Sequence, residues 1–228
     1  TVNSSATDSA GNIESTDSNS FTYDTVNPTR PSYNTAENQW FNSNPTLDID
    51  FSDGIALQKA EYKVDSGGEY STIASGIEGS SNDSDWEMEA SDWSAASEGS
   101  HVLYFRITDD AGNVYLTEDD EGEGPLGEAE GFSFKKDTVK PDSTITVPST
   151  GSYYNAADTI ASNITGSASD ATSGISNVNI TINNATDGTF WTGTEWQEGI
   201  AWLSTTGTES WYYDTDYPTW VSGKMYYV

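Results

Sequence analysis

Residues Ser100–Asn113 read SHVLYFRITDDAGN, and the end of this stretch has a near copy, ATDSAGN, at Ala6–Asn12. In the first, His101, Leu103, Phe105 and Ile107 alternate with outward-facing positions, as a half-buried antiparallel strand requires. The Asp, Gly and Asn that follow are turn residues: Asp and Asn side chains bond their own backbone, and Gly accepts positive φ. A second phrase recurs as well, since YDTVNPT at Tyr23–Thr29 returns as KDTVKPD at Lys136–Asp142. The order is strand, DDAGN turn, second strand, then DTV and proline, which is the closing sequence of a β domain. The chain therefore opens with what reads as a domain's end.

The spacing explains this. Asp24 and Asp137 lie 113 residues apart, while 91 residues to Val228 and 24 more to Asp24 of a following copy make 115. Two near-equal intervals describe a tandem period with two domains in it. Residues 1–25 are expected to supply terminal strands to the preceding repeat's second domain. Residues 26–139 form domain 1, with an acidic insertion at 117–130, and residues 140–228 form domain 2, lacking its last strands. Two versions fit: many copies fused in one polypeptide, or separate subunits that complete a neighbour's sheet by strand donation. In both the partner is another copy of the chain, met head to tail in a contact that does not close.

Composition agrees with an all-β reading. In TLDIDFS, Leu47, Ile49 and Phe51 share one face and Asp48 and Asp50 the other. LQKAEYKVD, STITVP and ISNVNITIN read the same way, short strands at sandwich spacing rather than a βαβ pattern. No helical stripe is visible. Against 37 Asp and Glu there are 8 Lys and Arg, a formal charge of -29, which repels nucleic acid and anionic membranes. Neither is expected as a partner. The chain has no cysteine, hence no disulfide framework, and neither end reads as a signal peptide or a membrane span.

ATDSAGN and ITDDAGN, each followed by a strand and then DTVNP or DTVKP, resemble the bacterial and archaeal Ig-like repeat domains of giant surface proteins and adhesins. SDATSGISNVNITI, SDGIALQKAEYKV and the Trp-bearing FWTGTEWQ and WLSTTGTESW are similar to turns and hairpins of that family. The resemblance implies two Ig-like antiparallel β-sandwiches in tandem, extracellular and at the cell surface. It implies a structural repeat of a filament, stalk or adhesin, and no catalysis.

In such a sandwich the entering linker meets two turns at one end. That would gather Asp24, Asp53 and Asp109 with Asn113 in domain 1, and Asp137 and Asp170 with a following copy's Asp8 in domain 2. Calcium takes six to eight oxygens from loops of this kind; the alternative is turn chemistry alone, and both readings stand. The acidic insertion, with seven carboxylates in Glu118–Glu130, reads as cation-collecting or simply solvated. Trp191, Trp196 and Trp220, with Trp202, Trp211 and nearby tyrosines, would either stack on surface glycans, making this an adhesin module, or pack a core. A surface-layer subunit is a third functional reading. Asn3, Asn82, Asn163, Asn179 and Asn184 stand in Asn-x-Ser/Thr sequons, at about the frequency this composition gives by chance. The lone histidine, His101, lies on a core-facing strand position and is expected to pack or to bond backbone; no nucleophile motif accompanies it.

Overall fold

The computed structural model describes residues 1–117, 131–155 and 163–228. Beyond Thr117, the acidic insertion lies outside the described residues. The chain forms two compact units, Thr1–Lys136 and Asp137–Val228, each nearly all β.

Unit 1 begins with a hairpin, β1 (Val2–Ser4) antiparallel to β2 (Asp17–Asn19). The body follows with β3 (Ser32–Tyr33), β4 (Trp40–Phe41), β5 (Thr46–Leu47), β6 (Ile49–Ser52), β7 (Leu57–Val64) and β8 (Ser71–Ser75). Then come β9 (Ser81–Asn82), β10 (Trp86–Glu87), helix α1 (Ala90–Ala95), β11 (Gly99–Asp109), β12 (Val114–Leu116) and β13 (Phe132–Lys136). One sheet runs β4-β13-β11-β7-β8, with β12 also on β11; the other side has β3-β6-β9 and the β5–β10 pair. Only β4 on β13 is parallel in this sheet.

The expected alternation sets the core. Leu47, Ile49 and Phe51 from one side meet Leu103, Phe105 and Ile107 from the other, all fully buried. The Phe51 and Phe105 rings lie 5.6 Å apart, and Trp86 meets Phe105 edge-on at 6.2 Å. Burying each such side chain contributes about 1.5–3 kcal/mol. TLDIDFS breaks into β5 and β6 at Asp48, whose N–H is taken by the Thr35 hydroxyl at 2.7 Å. The one helix among the described residues, α1, is short. Its six residues bury no side chain completely, so it carries no apolar stripe for a sequence reading to find.

Unit 2 contains β14 (Asp142–Val147), β15 (Ile164–Ser169), β16 (Asn179–Ile180), β17 (Asn183–Asn184), β18 (Thr189–Trp191) and β19 (Trp196–Gln197). It closes with β20 (Leu203–Ser204), β21 (Ser210–Tyr213) and β22 (Tyr226–Tyr227). Its sheets are β14-β15-β21, β19-β18-β17-β22 and the β16–β20 pair. Ile164, Ile180, Ile182, Trp191, Leu203, Trp211 and Tyr213 make the core. The single strand expected at ISNVNITIN is two short pieces, because its two halves have different partners.

Candidate metal centre

The DDAGN and DSAGN turns are the same object built twice. Asp109 N–H bonds Asn113 O and Gly112 N–H bonds Asp109 O, at 3.1 and 3.2 Å; Asp8 with Asn12 and Gly11 makes the same two bonds at 2.9 and 3.0 Å. One oxygen of each aspartate accepts the Asn N–H and the other the Asn amide: 2.8 and 2.7 Å at Asp109, 2.9 and 2.7 Å at Asp8. Gly112 and Gly11 take φ of 88° and 89°, a region that disfavours any Cβ. Their surroundings differ completely: Asp109 is fully buried, while every residue from Thr1 to Tyr23 is exposed.

In unit 1 the turn delivers Asp109 to two other carboxylates. Asp24 sits in the DTVNP linker, where one oxygen accepts the Val26 N–H at 3.0 Å. Asp53 begins the turn into β7, its Oδ2 accepting the N–H groups of Ile55 and Ala56 at 2.6 and 2.9 Å. One carboxylate oxygen from each of Asp24, Asp53 and Asp109 lies within 4.8 Å of the others. Asn113 donates to Asp109 and, at 3.4 Å, to the Asp24 carbonyl, so its amide links two of the three residues.

Two features favour an ion over turn chemistry alone. Three carboxylates this close repel one another, and among the described residues none of the ion pairs involves them. Asp53 is only 7% exposed, and its second oxygen, Oδ1, is buried with no hydrogen-bond partner among the described residues. Such an atom is costly to bury unless something satisfies it. Carboxylate oxygens on irregular loops are what a hard divalent cation such as calcium takes. Burial pushes the Asp109 carboxyl up, but the side chain and backbone of Asn113 and the N–H groups of Ala111 and Gly112 outweigh it and hold it below the ordinary range. It is therefore ionised at neutral pH.

Unit 2 repeats two members of the set. Asp137 accepts from Val139 N–H and, at 3.1 Å, from Ser173 N–H; Asp170 accepts from Thr172, Ser173 and Gly174 at 3.0, 2.8 and 2.9 Å. The Ser173 N–H thus joins the two carboxylates, a backbone contact with no signal in the sequence. Hydrogen bonds from the Thr172 and Gly174 N–H groups, chiefly, hold Asp170 below its ordinary value. Asp8 belongs to the N-terminal hairpin of unit 1, its carboxyl lowered first by the Asn12 amide.

The aromatic residues form a packed row. Trp191 is buried in the core, its ring 5.4 Å from Trp196; Trp196 lies 5.8 Å from Tyr226, and Tyr226 meets Trp220 edge-on at 4.8 Å. Trp196 and Trp220 are half-buried and Trp202 is exposed. His101 is buried, with Nδ1 2.8 Å from Asp65 and Nε2 donating to Ser97 O. Of the sequon residues, Asn3, Asn163 and Asn179 are exposed and Asn82 is half-buried. Asn184 is buried, and its amide is bonded within its own turn to Thr186, Asp187 N–H and the Asp187 carboxylate. Comparison with protein-family models, curated proteins and solved structures gives no match to this chain.

Proposed function

We propose that this chain is one period of a head-to-tail array of Ig-like β-sandwiches, a structural element of an extracellular filament, stalk or giant surface adhesin whose joints bind calcium. Its role is mechanical, to project or connect. The observation that carries the reading is the duplicated turn: bonds made inside a packed domain at Asp109 are made again at Asp8 on a hairpin whose residues are all exposed. A hairpin formed ready for a sheet, with Phe21 and Tyr23 at 73% and 80% exposure, implies a sheet to receive it.

Electron microscopy of the native material, with its denatured mass, tests this. Fibres whose mass in denaturant is many times 24.6 kDa mean a fused array, and fibres that dissociate to 24.6 kDa mean strand-linked subunits. Particles that stay single units at every concentration overturn the reading. For the joint, calcium at a hundred times its Kd raises unit 1 stability by about 2.7 kcal/mol, and Asp53→Ala abolishes that rise. A calorimetric melting curve that calcium leaves unmoved in the parent chain refutes the site.

A further inference from the structure

β7 in unit 1 lies between β11 and β8. Its counterpart in unit 2 runs through β16 and β17, 120 residues further on: Gly54-Ile55 precedes one and Gly174-Ile175 the other, and buried Ala60 and Tyr62 answer to buried Ile180 and Ile182. On one side the correspondence holds in register. Lys59 and Ala60 pair with Ser75 and Ala74, and Asn179 and Ile180 pair with Ser204 and Leu203.

The other side differs. β11 stays on β7 from Leu103 opposite Val64 to Asp109 opposite Leu57. In unit 2, β22 pairs with β17 only at Tyr226–Asn184 and Tyr227–Asn183, and among the described residues β16 has no second neighbour. The Val178 and Ile182 carbonyls accept from Thr205 and Trp191 on the paired side. Since alternate residues direct their backbone groups to opposite edges, those of Asn179 and Thr181 face the bare one. Such an edge is a template for an added strand.

The N-terminal hairpin has the matching features. Its turn is that of β11–β12, so Thr7 answers to Thr108 and Ser5 to Arg106, which pair with Lys59 and Glu61 in unit 1. Phe134 and Phe21 each stand three residues before the Asp of the DTV phrase. Phe134 is 1% exposed and stacks on Trp93 at 6.2 Å. Trp93 stands six residues before Gly99 at the start of β11, and Trp220 three residues before Gly223 ahead of β22, so each unit sets a tryptophan shortly before this strand, at different spacings. The Trp220 indole N–H is buried with no hydrogen-bond partner among the described residues.

We propose that the bare edge of β16, together with Trp220, receives the Thr1–Asp24 hairpin of a second copy through its Ser5–Thr7 arm alone, with Thr7 opposite Asn179, Ser5 opposite Thr181 and Phe21 against Trp220, while Val2 and Asn3 stay off the edge at Asn183 and Asn184 that β22 holds. This rests on the head-to-tail reading and specifies its joint. The same seat carries Asp8 to Asp137 and Asp170, as Asp109 stands to Asp24 and Asp53. The hairpin has no Lys or Arg, and its acidic residues approach an acidic unit, so salt strengthens the contact.

The test adds a synthetic peptide of residues 1–27 to the 228-residue chain in calcium-containing buffer and follows amide exchange. The expected result is at least tenfold slower exchange at Thr181 and Asn179. A Phe21→Ala peptide binds at least tenfold more weakly, as loss of a buried aromatic anchor does. A Ser5→Pro peptide, which lacks the N–H for the ladder, binds more weakly too. Being peptides, these variants leave the folding of the chain untouched. Equal binding by parent and variant peptides overturns the proposal, as does protection confined to other amides. If exchange at Thr181 is unaffected while the chain still forms fibres, the array stands and this joint falls; if neither fibres nor protection appear, both fall.

Discussion

Asp109 shows how one side chain serves a turn, a core and a charge cluster together. Its oxygens take the backbone and side chain of Asn113, closing the turn, while full burial places it beside Asp24 and Asp53. Because its folded pKa lies below the ordinary aspartate value, ionised Asp109 favours the folded state. That contribution is complete above the unfolded pKa and is lost as pH falls through the lowered folded one. Asp109→Asn is expected to cost about 1–3 kcal/mol at neutral pH, through lost hydrogen bonds at a buried site. It should also flatten the pH dependence of unit 1 stability below about pH 4. Urea titrations of parent and variant at pH 7 and pH 3 measure both effects; an unchanged acid slope would contradict this assignment.

Among the elements, β15 is held by an absent side chain. Gly166 lies between β14 and β21, and a Cβ there would come 2.1 Å from both Thr144 O and the Trp211 ring. Neither neighbour is the flexible tip of a long side chain. Gly166→Ala is expected to destabilise unit 2 by about 1–3 kcal/mol through overpacking while leaving unit 1 unchanged. Separate thermal transitions for the two units would read this, and a shift in the unit 1 transition would count against it. At α1 the compensation is cationic: the Lys136 ammonium bonds Trp93 O and Ala96 O at 2.9 and 2.6 Å, satisfying carbonyls at the helix end.

At the scale of the whole molecule, a formal charge of -29 dominates. Compaction brings like charges together, so added salt should stabilise the folded chain, divalent salt more than sodium at equal ionic strength, since screening and site binding then act together. Melting temperature against NaCl and CaCl2 at matched ionic strength measures this. Coincident curves would mean screening alone, with no site at Asp24, Asp53 and Asp109.

What the sequence by itself determined is the β character and the core faces. Leu47, Ile49, Phe51, His101, Leu103, Phe105 and Ile107 fall on every second position, and a period of two sets them all on one face. It also showed the duplicated DAGN turns, because turn chemistry is local: Asp, Gly and Asn within five residues make all the bonds. The convergence of three aspartates came from the resemblance and not from spacing, since Asp24, Asp53 and Asp109 are far apart in the chain. Tertiary structure alone decided the rest. It left Asp53 Oδ1 buried without a partner among the described residues, joined Asp137 to Asp170 through a backbone N–H, and turned Trp191 into the core. It also left β16 with one neighbour among the described residues. Strand pairing and burial depend on what packs alongside, and a chain's own order of residues does not state its neighbours.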